Sequence, residues 1–315
     1  MGCAPSSSSS VTAGEEKVLP APSAMSIPAP AAELPLARAA ASSGEGCAMS
    51  MCENGCGRCK GKAPDGRLFN SCCKSCAFLH KERGFCGHDI ACDIRHNDGS
   101  FPPWYWKSSS KWPETFHEEV GGEYVRKMGT KLLKRRMPAC EVVRCERIED
   151  STLWSLYAAT RAEIRNCGIT VDNIKPETSE SIDFSANTTL DHSVNEVWLL
   201  HGTSEDAAKA IAKSNFVCSS GGCFGSGAYF ADDASKSSQY AKGRTEDGCK
   251  IMLLCRVTLG NMKKLAPGQD RNADRFASDP SYNSVLGTTN TREFIIFNMT
   301  QIYPEYLMYY KDAAG

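Results

Sequence analysis

The chain has 315 residues, 41% hydrophobic and 23% charged, with 36 Lys and Arg against 37 Asp and Glu. That length holds about two domains of roughly 100 to 200 residues, and the composition excludes a wholly disordered or fibrous protein. A formal net charge of -1 supplies no overall field to gather nucleic acid or anionic lipid, so such a partner must be met by a local patch. No apolar run approaches the roughly 20 residues of a membrane-spanning helix. The N-terminus lacks the charged start and apolar run of a signal peptide. The expected setting is intracellular, cytoplasm or nucleus, where thiols bind metal rather than pair as disulfides.

Residues 1–46 are dominated by Ala, Ser and Pro. They offer too little apolar area to offset ordering entropy and read as a disordered tail. The start Met1-Gly2-Cys3-Ala4-Pro5-Ser6 fits the pattern for myristoylation of Gly2, with Cys3 as an acceptor for palmitate. Two acyl chains would tether the protein to a membrane stably, whereas one would not. The alternative is an unmodified start in a Ser-rich tail.

Nine of the 17 cysteines fall within residues 47–92. They are spaced Cys52-x3-Cys56-x2-Cys59, then Cys72-Cys73-x2-Cys76, then Cys86-x-His88-x3-Cys92, with His80 and His96 nearby. Pairs two to four residues apart reach one tetrahedral Zn2+, so residues 47–97 read as a small zinc-stabilised module. The expected ligands are Cys52, Cys56, Cys73, Cys76, His88 and Cys92. Cys72 stands next in line, with Cys47, Cys59 and Cys86 as candidate free thiols. Between positions 52 and 95 there are eight Lys or Arg against five Asp or Glu, a net of +3. That patch allows a nucleic-acid ligand but equally a structural or protein-binding role. Residues 98–136, rich in aromatics and Pro and then basic at 131–136, read as a connector packing on one of its neighbours.

Residues 137–315 have the pattern of a conventional mixed domain. Leu153, Leu156, Tyr157, Thr160 and Ile164 recur at helical spacing behind Asp150 and Ser151, either of which suits a cap. Residues 196–201 read as a buried strand and 204–215 as a helix with Glu205 and Asp206 in its first turn. A short helix follows Asp232 and Asp233 and ends near Tyr240. Residues 250–259, 293–302 and 305–310 read as strands. Without regular strand-helix alternation, the fold class is α+β.

Three segments carry chemistry: Leu200-His201-Gly202-Thr203; Gly225-Ser-Gly-Ala-Tyr-Phe-Ala231, leading into Ser235-Lys-Ser-Ser-Gln-Tyr240; and Arg292-Glu-Phe-Ile-Ile296. Taken singly, each has a bland reading as a turn residue, a Gly-rich loop and a solvated Glu. In this order, with Leu254-Cys-Arg-Val-Thr-Leu-Gly260 and Tyr303-Pro-Glu-Tyr-Leu307, they resemble the catalytic domain of the poly(ADP-ribose) polymerase family, the diphtheria-toxin-like ADP-ribosyltransferases. The motifs look most like tankyrase-type domains, and the resemblance covers residues 137–315.

The resemblance implies a split mixed and antiparallel sheet core with short flanking helices, NAD+ as the substrate that donates ADP-ribose, and protein acceptors. It implies catalytic roles for Glu293, His201 and Tyr229, and cofactor contacts from His201, Gly202, Thr203, Tyr229, Phe230, Ser237 and Tyr240. In that scheme Tyr240 and Tyr229 wall the nicotinamide, Gly202 pairs its backbone with the carboxamide, Ser237 donates to the carboxamide oxygen, and His201 bonds the adenosine ribose. Glu293 would stabilise charge developing on the ribose. A retained His, Tyr, Glu set looks like a polymer-forming enzyme, although some mono-transferases keep the Glu. Departures are visible too. The small zinc site of tankyrases after the Ser-x-x-Tyr helix is absent, and the stretch between 166 and 196 is too short for the regulatory helical bundle of DNA-break-activated members. The rival to an enzyme is an inactive zinc adaptor whose C-terminal domain only binds NAD+ or ADP-ribose.

Overall fold

The chain divides into two units, Met1–Ala48 and Met49–Gly315. The computed structural model describes residues 52–54, 60–63, 65–84, 106, 115–119, 123–172, 174–181 and 190–312. Gly2, Cys3, Cys47, Cys56, Cys59, Cys86, His88 and Cys92 lie outside these described residues.

Strong apolar alternation in three strands sets the architecture. In β3 (Glu196–Thr203), β6 (Lys250–Thr258) and β10 (Ile302–Asp312), neighbouring side chains point to opposite faces, and both faces are buried. One face carries Val197, Leu199, Ile251, Leu253, Val257 and Leu307. The other carries Trp198, Leu200, Met252, Leu254, Tyr306 and Met308. A strand covered on both sides reads as a continuous apolar run, which is why Ile251-Met-Leu-Leu254 is so uniformly hydrophobic.

These strands belong to an antiparallel sheet ordered β1 (Thr115–Glu119), β2 (Cys140–Asp150), β10, β6, β3. A second sheet is ordered β4 (Ser219–Gly222), β5 (Gly225–Phe230), β9 (Arg292–Ile296), β8 (Ser284–Thr288), β7 (Met262–Lys264). Only its β7–β8 pair is parallel. An isolated bridge links the two sheets, with Leu200 N donating to Ala231 O at 2.8 Å and Ala231 N to Leu200 O at 3.0 Å, and their apolar faces share one core. The split α+β core expected from the resemblance is therefore present.

Helices cover both faces of the first sheet. In the Cys-rich module, α1 runs over Lys74–Arg83. Met128, Leu132 and Leu133 of α2 (Glu123–Lys134) pack beneath the Trp198 face. The helix expected after Asp150 is α3 (Ser151–Asn166), and Asp150 is its cap, accepting from Leu153 N at 2.9 Å. Leu156, grouped with its core residues in the sequence reading, is 48% exposed. After the short α4 (Glu177–Ser181), α5 (Glu205–Ser214) is capped by Ser204 and turns Ala208 and Ala212 into the opposite core.

Two expectations need correction. The strand read at 293–302 ends at Ile296, a turn of 3-10 helix (Met299–Gln301) intervenes, and β10 then runs unbroken through Pro304. Register shifts between Pro304 and Tyr306, a bulge that admits a residue lacking an N–H. Gly225–Phe230 is a strand rather than a loop. Within residues 98–136, β1 pairs with β2, α2 packs on the sheet, and Trp106 stacks on Tyr303 and meets Trp154 edge-on, with ring centroids 5.7 Å apart in both cases.

The bulge also turns Glu305 inward. Arg256 Nε donates to it at 2.5 Å, while Arg256 and Arg161 both reach Glu196 at 3.3 Å. Tyr157 and the Asp191 amide donate to Glu196 as well. Burial by itself would raise the Glu196 carboxyl, but Arg161, Arg256 and these donors override it and hold it at about 2. Since this lies below the ordinary value, the network's stabilisation is full at neutral pH and is lost as pH falls toward 2. Glu196→Gln would remove the negative charge that Arg161 and Arg256 share while both stay buried, with Arg256 keeping Glu305, and should cost about 3 to 5 kcal/mol. Calorimetry should show a drop in Tm on the order of 10 °C; an unchanged Tm would mean the network is neutral to stability.

Candidate active site

Where the sheets part beyond the Leu200–Ala231 bridge, a cavity of 570 Å3 opens. β3 brings His201 and Gly202 to it, β5 brings Tyr229 and Phe230, and β9 brings Glu293. α6 (Ala234–Ser238) adds Lys236 and Ser237, with Tyr240 just past its end. Asp233 starts that helix by accepting from Ser235 N at 2.7 Å, the cap role its sequence position promised. Of the residues implied by the resemblance, all but Thr203 line the cavity; Thr203 ends β3 outside it.

Each wall is held by a backbone contact. His201 Nδ1 lies 2.8 Å from Tyr229 O, so Nδ1–H donates and Nε2 remains as the ring's acceptor. Burial pulls the imidazole pKa below its usual value, outweighing the carbonyl's opposite effect, and the neutral ring is the working form. Phe216 and Phe230 pack against the imidazole, with centroids 5.0 and 5.7 Å away. Phe230 thus also clamps His201. Gly202 is fitted so closely to α6 that a Cβ there would lie 1.7 Å from Ser237 O. Ser237 Oγ donates to Leu200 O at 3.1 Å, so in this structure its hydroxyl serves the backbone.

Tyr229 is pinned at its tip. Its hydroxyl donates to Gly225 O at 2.6 Å and accepts from Phe224 N at 3.0 Å. Burial, helped by the Glu293 charge, pushes it up to about 12, leaving an uncharged wall. Tyr240 is 51% exposed and forms the outer side, with Lys236 Nζ 5.6 Å from its ring.

Glu293 is buried, 5% exposed, with its carboxylate in the cavity. Lys236 Nζ lies 3.2 Å from Oε1, and Thr289 Oγ1 donates to the same oxygen at 3.3 Å. Burial would lower the Lys236 ammonium, but the Glu293 carboxylate overrides it and raises its pKa. Sequence reasoning quoted Lys236 inside a motif without a role. It missed Thr289, because nothing in Thr-Thr-Asn-Thr signals which hydroxyl turns inward. The strand behind Glu293 is anchored by an ion pair from Arg292 to Asp232.

In the Cys-rich module, the Sγ atoms of Cys52, Cys72 and Cys76 lie within 4.8 Å of one another, all buried. The expectation named Cys73 rather than Cys72. Cys73 instead caps α1 with its sulfur accepting from Cys76 N at 3.3 Å. Three buried thiols so arranged can hold a soft or borderline metal ion.

The profile of the poly(ADP-ribose) polymerase catalytic domain matches residues 123–291, more than half of the chain. The chain belongs to this family. Its match begins inside the stretch read as connector, at the first residue of α2. Among its relatives, protein mono-ADP-ribosyltransferase PARP12 of Mus musculus is 30% identical over 189 residues, covering 58% of this chain and 23% of the relative. A probable poly(ADP-ribose) polymerase of Dictyostelium discoideum is 31% identical over 179 residues, 55% of this chain and 45% of the relative. Protein mono-ADP-ribosyltransferase PARP11 of Homo sapiens is 27% identical over 205 residues, 56% of this chain and 53% of the relative. The chain thus matches about a quarter to a half of the length of these relatives.

Gly202→Ala should force β3 and α6 apart. Calorimetry should then show a lowered Tm, because the added Cβ would lie 1.7 Å from Ser237 O; a Tm equal to the parent's would show that α6 shifts aside without cost.

Proposed function

We propose that the chain transfers ADP-ribose from NAD+ to protein acceptors, releasing nicotinamide. The observation that carries this reading is the convergence of His201, Tyr229 and Glu293, from three strands of two sheets, on one cavity. Tyr229 and Tyr240 provide flat apolar walls for the nicotinamide ring. Gly202, lacking a side chain, lets its backbone meet the carboxamide. Neutral His201 accepts from a ribose hydroxyl through Nε2.

The bond between the nicotinamide nitrogen and the ribose breaks, and nicotinamide leaves with the electron pair. The Glu293 carboxylate, bonded to a ribose hydroxyl, stabilises the positive charge this leaves on the sugar. An acceptor oxygen or nitrogen then bonds the ribose carbon and gives up its proton. Lys236 and Thr289 keep Glu293 in one orientation, so little reorganisation remains for the reacting state.

The product we assign is a polymer, since Glu293 can bond a hydroxyl of an acceptor ADP-ribose as well as of the donor. A single transfer is the second reading, favoured by the names of the PARP11 and PARP12 relatives. The Cys-rich module, in this proposal, binds a structural Zn2+ and serves targeting rather than catalysis.

Incubation with labelled NAD+ and a denaturing gel tests all of this. A smear lost in Glu293→Gln is expected, with transfer falling about 100- to 1000-fold while NAD+ affinity changes little. A discrete band dependent on Glu293 would establish the single transfer. No label, with NAD+ still bound, would make the chain an adaptor. Tyr240→Ala should weaken NAD+ binding; unchanged affinity would remove the ring from the pocket wall.

A further inference from the structure

Adjacent Cys72 and Cys73 are indistinguishable by spacing, yet the backbone separates them. Cys73 has φ -156° and ψ 169°, an extended conformation in which neighbouring side chains point to opposite sides. Cys73 packs against the cluster of Cys52, Cys72 and Cys76, but only those three bring their sulfurs together. Cys72 is 1% exposed and joins Cys52 and Cys76, themselves 4% and 0% exposed. Cys73 is half-buried and turned onto the first turn of α1.

The trio has the dimensions of a metal site. Zn–S bonds of about 2.3 Å at tetrahedral angles set sulfurs about 3.8 Å apart, and Cys52 Sγ and Cys76 Sγ are 3.8 Å apart. Next to Cys72, Lys62 is bridged to Leu68 and Gly61 N donates to Ser71 O at 2.9 Å. At Gly61 a Cβ would lie 2.7 Å from Cys72 O, so glycine lets residue 61 lie directly against Cys72. Asn54 Nδ2 donates both to Cys76 O at 3.0 Å and to Cys76 Sγ at 3.3 Å. These two bonds fix the position of the Cys76 sulfur from outside the cluster, as a partner beyond the metal's own ligands does.

We infer that Cys52, Cys72 and Cys76 ligate one Zn2+ as thiolates, that Cys73 is not a ligand of that ion but the cap of α1, and that Asn54 is a positioning residue for Cys76. This rests on the zinc reading above. Each thiol releases its proton to solvent as it ligates. The tetrahedron takes one more ligand, and Cys56, His88 and Cys92, which the spacing offers, lie outside the described residues.

The test uses the full chain, with metal content by mass spectrometry and Co2+ as a spectroscopic substitute. Cys73→Ser, which keeps a capping oxygen, should retain the parent's zinc content and its sulfur-to-cobalt charge-transfer band. Cys72→His should keep the metal through nitrogen but lower that band by one thiolate's share, on the order of a quarter to a third. Asn54→Ala should weaken zinc affinity about 10- to 100-fold in a chelator competition. Loss of zinc in Cys73→Ser, or an undiminished band in Cys72→His, would overturn the ligand assignment. A parent chain that binds neither metal would instead remove the zinc reading on which it stands.

Discussion

Two hydrogen bonds between Leu200 and Ala231 bridge the two sheets at the wall of the cavity, and a shared apolar core packs the sheets together behind it. Residues on either side of that bridge are the ones the cavity uses. His201 and Gly202 follow it on β3, while Tyr229 and Phe230 precede it on β5. The sheets diverge immediately beyond, and α6 closes the gap by packing its backbone onto Gly202. Because His201 Nδ1 is tied to Tyr229 O, the imidazole is oriented by the same strand that supplies the opposite wall.

Charge is treated differently in the core and in the cavity. Glu196 and Glu305 are surrounded by guanidinium groups, buried completely and removed from any solute. Such a network offsets desolvation with several donors and pins α3, β3, β6 and β10 together. Glu293 has one cation and one hydroxyl on a single oxygen, and it opens on the cavity. A carboxylate left with bonding capacity at a concave apolar surface is the arrangement in which a developing positive charge gains most, because little water competes there.

Much of this was legible in the order of residues. Helix starts followed from Asp150, Ser204 and Asp233, since a short side chain that accepts from backbone amides acts locally. Strands β3 and β6 showed as uninterrupted apolar runs. The site residues were legible through motif order rather than periodicity, as no local pattern says that His201, Tyr229 and Glu293 meet. β2 was missed because its alternation is masked by Arg147 and Glu149, charged residues that are buried through their mutual pairing. β10 was cut short at Pro304, whose missing N–H is absorbed by a bulge that depends on Glu305 finding Arg256.

Sequence alone determined the family and the presence of a cysteine cluster, because these depend on residue type and spacing along the chain. Tertiary structure decided what depends on direction. It paired Lys236 and Thr289 with Glu293, put Thr203 outside the cavity, and gave Ser237 to the Leu200 carbonyl. Between two neighbouring cysteines it chose Cys72 for the cluster, since in extended backbone a step of one residue reverses the side a sulfur faces.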